Sequence, residues 1–381
     1  MEIKRITHIA IQIFAITAIA ILLSRTAIYS ITSVPAFNSS VSGGDFKMSD
    51  VYNSVINNNS EHILSTDIAI VNVDDCSRLQ IAEVLKAVND CDPVVIALDV
   101  FFPWQYAEDE ILIDAIRLCN NIVLPCRATY GNDNPDTATL QGSYFYDETF
   151  HHYGIVNFES YAISSTIREF RTTFDVDGKL YNSMPVEISL IAEPDAYAAL
   201  MEKGTGKHTI SYPIIEFETI SAQELLESNG SLSSFLGGKI VFVGDLYDGH
   251  DFHVTPIDKA MPGVKIQAYT TQTILSGNYT RTTSGFVNWV LAILTCMLFI
   301  TLNFVAKYNF PNVGKIVLRL LQVFCLYLFY IIGCRIFATR QLYIDFMPAL
   351  TMMALGLFAY DVWVGGIAVA KAVTSHKKKR K

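Results

Sequence analysis

The sequence predicts an extracytoplasmic α/β domain, with a mixed, largely parallel sheet, helices on both faces and an antiparallel β insertion, joined to four transmembrane α-helices. Three observations predict it. Four apolar stretches have membrane-crossing length, a block between the first two is strongly acidic, and inside that block short apolar strands alternate with helical patterns.

Composition demands the spans. Of 381 residues, 17% are charged and 51% apolar, with a mean hydropathy of +0.31. Soluble domains carry about 25% charged residues. The stretches are 6–23, 285–305, 314–336 and 342–366, each close to the roughly 20 residues that cross the hydrocarbon core. The first is long for a cleaved signal core and no small-x-small site follows it, so 6–28 is expected to stay as an anchor.

Basic residues near span ends set orientation. Residues 1–5 hold Lys4 and Arg5, the loop between spans two and three holds Lys307 and Lys315, and the 367–381 tail ends in Lys377, Lys378, Lys379, Arg380 and Lys381. Four crossings put all three segments in the cytoplasm and 30–284 outside. Arg25, Arg281 and Arg340 are single charges at outer span ends. A multi-pass protein of the cytoplasmic (inner) membrane is the expected location.

Residues 30–284 contain 14 Lys and Arg against 34 Asp and Glu, a net of −20, whereas the remainder has 14 against 3, a net of +11; together these make the overall −9. An acidic domain repels nucleic acid and attracts cations or basic partners. The basic tail suits membrane lipids with anionic head groups.

Cys296, Cys325 and Cys334 fall in spans, where a thiol packs as a small apolar group. Cys76, Cys91, Cys119 and Cys126 fall outside, where disulfides persist. In a parallel sheet, Cys76 and Cys126 lie near the C-terminal strand edge and Cys91 and Cys119 at the other. Any bridges are therefore expected within each edge.

Along the outer domain, 67–73 (DIAIVNV) reads as a buried strand, 77–89 as a helix stopped by Asp92-Pro93, and 94–100 (VVIALDV) as a second strand. A helix over 108–120 and a strand over 121–126 repeat the rhythm. Residues 154–158 and 167–174 read as antiparallel β with a turn at Asp177-Gly178. A helical stretch over 184–202 is interrupted by Pro194, 208–212 suggests another strand, and Ser221 with Glu224 forms a capping box. Residues 239–244 (KIVFVG) are a buried strand, and 263–276 a helix closed by Gly277.

No phosphate-binding glycine loop, GxSxG elbow, HExxH or paired CxxC occurs, which argues against the common hydrolase and zinc classes. Carboxylates collect at the strand ends instead: Asp74 and Asp75 after the first strand, Asp99 ending the second and Asp245 after the last, with Arg127 after the third. Open α/β sheets bind ligands beyond that edge. The acids read either as a polar pocket or cation site, or as caps of the following helices. Asp245, Asp248, His250, Asp251 and His253 crowd one loop that could close on a metal or serve as a turn. His151-His152 is a weaker signal of the same kind. Within the spans, Arg319 and Asp361 lie at matching depth and are expected to pair; Arg335 could face Asp345 or snorkel to head groups.

These residues resemble the second class of CHASE domains, extracellular sensory domains associated with cyclases and histidine kinases. Lys239–Gly244 is similar to that family's GKIVLVG strand, Asp251 with Thr255-Pro256 to its Asp…Thr-Pro turn, and Met261-Pro262-Gly263-Val264 with Gln267-Ala268 to its helix start. Val73-Asp74-Asp75, Ala97-Leu98-Asp99, Gly154-Ile155-Val156-Asn157 and Asp177-Gly178 match more weakly. The resemblance spans about residues 45–280. It implies a sensor of a small ligand or envelope component, with no enzyme activity and no cofactor. Only a short basic tail follows the last span, so a separate signalling partner is expected. The alternatives are an envelope scaffold, or an extracytoplasmic enzyme using the acidic strand edge.

Overall fold

The structure is a computed structural model that describes residues 2–33, 47–130, 138–147, 152–158, 166–228, 230–310 and 313–379, without the side chains of 2–6, 25–33 and 374–379. His151 and the terminal Arg380 and Lys381 lie outside the described residues. The chain forms two compact units, Ser49–Thr280 and Met1–Met48 with Arg281–Lys381.

The chain opens with α1 (Glu2–Ser33), which extends past the predicted anchor, and α2 (Met48–Asn59) begins the outer unit. There follow β1 (Ile63–Asn72), α3 (Arg78–Asn89), β2 (Val95–Asp99), α4 (Asp109–Leu118), β3 (Ile122–Tyr130), β4 (Ala138–Gln141) and β5 (His152–Ile155). Ser77 caps α3 through a reciprocal box with Gln80, which is why the helix starts there. Next come β6 (Glu169–Arg171), β7 (Thr173–Val176), β8 (Lys179–Asn182), α5 (Met184–Ala192), α6 (Pro194–Glu202), β9 (Lys207–Thr209) and β10 (Ile215–Ser221). α7 (Ala222–Glu227), α8 (Ser233–Leu236), β11 (Ile240–Gly244), β12 (Phe252–His253), β13 (Met261–Pro262) and α9 (Gly263–Ser276) complete the unit.

Among the described residues the main sheet has seven strands in the order β10-β1-β11-β2-β3-β4, with β5 also pairing β3. All pairings are parallel except that of β4 with β3. Period-two alternation sorts the strand residues between two cores. Ala69, Val71, Ile96, Leu98, Val241 and Val243 face α3, α4, α7 and α8, while Ile68, Ile70, Val95, Ala97, Ile240 and Phe242 face α5, α6 and α9.

Two sequence expectations change. Residues 154–158 were expected to be antiparallel, yet β5 runs parallel to β3 over Val123–Cys126 because its short apolar run is buried within the sheet. The antiparallel insertion consists instead of β4 on β3, β6 with β9, and the β7–β8 hairpin. That hairpin turns at Asp177-Gly178, whose φ values of 52° and 81° are those of a type I′ turn. The edge strand β10 was not anticipated; its alternation of Phe217 with Glu216 and Glu218 covers only one buried face.

The second unit adds β14 (Arg281–Thr282), α10 (Gly285–Asn309), α11 (Gly314–Arg340), β15 (Leu342–Tyr343) and α12 (Met347–Lys379). Among the described residues, four helical segments are long and apolar enough to cross a membrane: Thr7–Ser24, Gly285–Asn309, Gly314–Arg340 and Met347–Val373. The last starts at Met347 rather than 342, because Leu342 and Tyr343 pair with Arg281 and Thr282 and Asp345 caps the helix through the Met347 amide at 3.0 Å. Ile16 and Ala20 pack with Ala292, Cys296 and Ile300 of α10 and with Ala349, Met352, Ala359 and Tyr360 of α12. A side chain at Gly356 would strike the Cys296 sulfur, so glycine permits the close approach of α10 and α12.

Candidate functional site

Connections leaving neighbouring strands diverge at the C-terminal edge of the sheet. β1 and β2 lead to α3 and α4 on one face, while β11, lying between them, leads to α9 on the other. Such a divergence leaves a crevice beyond the strand ends. It is a cavity of about 540 Å³ lined by Asp99, Val100 and Phe101 after β2, Arg127 of β3, and Val156, Asn157 and Phe158 after β5. Asp245, Asp248, Asp251 and His253 of the loop after β11, with Gly263, Val264 and Gln267 of α9, close it.

Hydrogen bonds fix the walls. Asn72 at the end of β1 accepts from the amides of Asp74 (3.2 Å) and Leu246 (3.0 Å), tying the two adjacent strand exits together. Asn157 brackets β3 by accepting from Ala128 N (2.8 Å) and donating to Ala128 O (3.0 Å). Asp245 accepts from the amides of Tyr247 (2.7 Å) and Asp248 (3.1 Å), and Asp248 accepts from that of His250 (2.9 Å). These two acids therefore also shape their own loop. One Asp251 oxygen lies 3.2 Å from His253 Nε2, and the other lies where a side chain at residue 263 would be, so only glycine fits at the start of α9.

Asp99 differs. Among the described residues no donor hydrogen-bonds its carboxylate. Loss of hydration pushes its carboxyl up to about 7; the Asp251 charge adds to the rise and Arg127 opposes it. Arg127 is itself exposed and stacks over the Phe101 ring at 4.5 Å. Phe158 packs edge-on to His253 at 4.8 Å.

The predicted acids thus divide. Asp99, Asp245, Asp248, Asp251 and Arg127 line one crevice, whereas Asp74, Asp75 and His250 do not. Asp75 is exposed with φ 57°, and Asp74 leans toward Asp245: its carboxyl is raised by lost hydration, then by the Asp245 and Asp75 charges, against a lowering bond from the Asp75 backbone. Among the described residues no three His, Cys, Asp or Glu side chains gather as a metal ligand set. His152 instead bonds Glu187 at 2.8 Å.

The expected cysteine pairings do not form: no disulfide joins any of the seven cysteines. Cys91 and Cys119 turn their sulfurs to the helix carbonyls of Ala87 and Ala115, and burial pushes the Cys119 thiol up to about 12. Nor is Arg319 paired directly with Asp361. The two border one small cavity with Lys315 and Asn303, but the guanidinium donates to Gln322 (3.0 Å), whose amide holds the Met353 carbonyl (3.1 Å).

Asn157, Gln267 and the two phenylalanines escaped the charge-based search for a site, though Asn157 and Gln267 belong to the segments that carried the family resemblance. A model of the CHASE2 domain matches residues 39–304, more than half of the chain and the whole crevice. The chain belongs to the CHASE2 family. CHASE2 is an extracellular sensor domain, which accords with an acidic unit joined to apolar helices in a membrane protein. This CHASE2 chain matches no curated protein and no solved structure.

Proposed function

We propose that this CHASE2 protein senses a small ligand or envelope component in the crevice at the strand ends and passes the change through its spans to a separate signalling protein. The carrying observation is the crevice itself: polar groups from four strand exits and the first turns of α9 converge where the crossovers diverge. A ligand bridging the β2 and β11 exits would favour whichever arrangement of the two suits it best, and differential affinity is all that a sensor requires. Binding without turnover is sufficient, and no cofactor enters.

The same reading sets the protein in the cytoplasmic membrane with the acidic unit outside and the basic segments inside, where the tail meets anionic lipids; the distribution of basic residues at the span ends supports it. Accessibility labelling of single cysteines placed at Ser284 and Ser375 tests this: labelling of the first alone by an impermeant reagent on intact cells is expected, and the reverse would overturn the orientation.

Thermal unfolding of the full chain in detergent, scanned against amines, amino acids, sugars, nucleotides and metal salts, tests the ligand site. A stabilisation of about 2–4 °C that is lost in Asp99→Leu is expected. A stabilisation that persists in that variant places binding elsewhere; a folded chain that answers to none of these compounds favours a scaffold.

A further inference from the structure

The unfilled hydrogen-bonding capacity of the crevice narrows the ligand, on the reading that the crevice is the ligand site. Several of its polar groups are already partly committed within the fold. One oxygen each of Asp245 and Asp248 holds loop amides, one of Asp251 meets His253, and Asn157 is spent on the β3 backbone. Beside the second oxygens of those aspartates and the Arg127 guanidinium, two groups remain open. Among the described residues neither Asp99 oxygen receives a hydrogen bond, although lost hydration and the Asp251 charge both bear on it.

Gln267 is the second, and it is independent of the acidic cluster. Its side chain is 3% exposed and reaches the crevice wall, where Nε2 donates to the Val156 carbonyl at 3.1 Å. A carbonyl only accepts, so the amide nitrogen must face it and the orientation of the carboxamide is settled. Oε1 is then an acceptor in the crevice lining for which no described residue supplies a donor. An acceptor that the fold leaves without a donor and that faces a cavity is open to a donor from a ligand.

The two open groups are neighbours. A side chain at Gly244 would touch both Val264 and the Cβ of Asp99, and Gln267 is one turn beyond Val264 on the same face of α9. Acceptors therefore outnumber donors, within a lining that has four aspartates against one arginine. Phe101, Phe158 and Val264 provide apolar wall for a carbon skeleton. A bare metal ion suits this poorly, because no three ligating side chains gather among the described residues. A primary ammonium group carries three N–H donors and a positive charge, which is the complement of these acceptors.

We propose that the crevice recognises a small organic molecule through a protonated primary amine received by Asp99, Asp251 and the carboxamide oxygen of Gln267. Amines reach such a site either as simple diamines or as amino acids, whose carboxylate would turn toward Arg127.

The test uses the full chain in detergent with putrescine, glycine and lysine as amine probes, and 1,4-butanediol, acetate and calcium chloride as controls. Thermal midpoint and calorimetric titration are the readouts. At least one amine is expected to raise the midpoint by about 3 °C while the controls do not. Asp99→Asn, nearly isosteric and so retaining the fold, is expected to weaken amine binding at least about tenfold, as a lost charge-assisted hydrogen bond does. Gln267→Met should weaken it about threefold to tenfold by the same loss. A glycine or lysine response that alone falls in Arg127→Met identifies the amino-acid form, and an equal putrescine response the diamine form.

A midpoint rise with butanediol, acetate or calcium that Asp99→Asn abolishes would overturn the amine and leave the crevice as the site. An amine response untouched by both variants would overturn the amine assignment and the crevice together. Silence from all three amines in a folded chain would also overturn the amine assignment.

Discussion

Two aspartates ten positions apart meet opposite fates. Asp109, at the start of α4, is 2% exposed, and burial alone would raise its carboxyl. Arg78 reaches both of its oxygens at 2.5 and 2.6 Å, the Tyr106 amide adds a bond at 2.7 Å, and the carboxyl is held below its ordinary range. Arg78 is itself set over the rings of Phe102 (5.2 Å) and Tyr106 (4.4 Å). Asp99 is half-buried and loses hydration too, yet receives no such donor and is pushed up to about 7. An acid that the fold satisfies is architecture, whereas one left unsatisfied beside a cavity is available to a ligand.

The sharpest way to break this contrast is to remove the architectural partner. Arg78→Ala strands a buried carboxylate and is expected to cost about 3–5 kcal/mol in urea unfolding, with little change in amine affinity for the chain that remains folded. Gly263→Ala should displace the Asp251 carboxylate, costing about 1 kcal/mol by the same measurement while reducing amine binding in calorimetry.

Asp99→Asn should act through pH instead. The folded carboxyl titrates at about 7 against an ordinary 3.8, so between those values the folded state holds a proton that the unfolded chain has released. The stability this contributes is fully present below about 3.8 and is lost as pH rises through 7. Thermal midpoints of the wild type should therefore fall over that window relative to those of Asp99→Asn; parallel curves would remove the basis of the contrast. The smallest effect belongs to the acids outside the crevice. Asp75→Asn is expected to change stability by less than about 0.5 kcal/mol in urea unfolding and to leave calorimetric amine titrations unaltered.

Much of the architecture was legible because it follows from local periodicity. The buried runs 67–73, 94–100 and 239–244 each bury both faces of a parallel strand, and the box at Ser77 and the turn at Asp177-Gly178 are chemical signals confined to a few residues. β10 was missed because an edge strand with one buried face is mostly polar. The direction of β5 was misjudged because strand direction depends on a partner about thirty residues away. In the site, the charged residues stood out and the amides did not: nothing in the local sequence around Gln267 reveals that Val156 will claim its nitrogen.

By itself the amino-acid sequence determined the acidic outer unit, the apolar spans, the strand–helix rhythm and the edge of the sheet at which the acids gather. Composition and short-range pattern carry all of these. Tertiary structure alone decided which acids share a cavity. The insertion of β11 between β1 and β2, with its crossover on the opposite face, opened the crevice at Asp99 and left Asp74 and Asp75 outside its lining. That outcome depends on strand order and crossover side, which are set by contacts between residues more than a hundred positions apart.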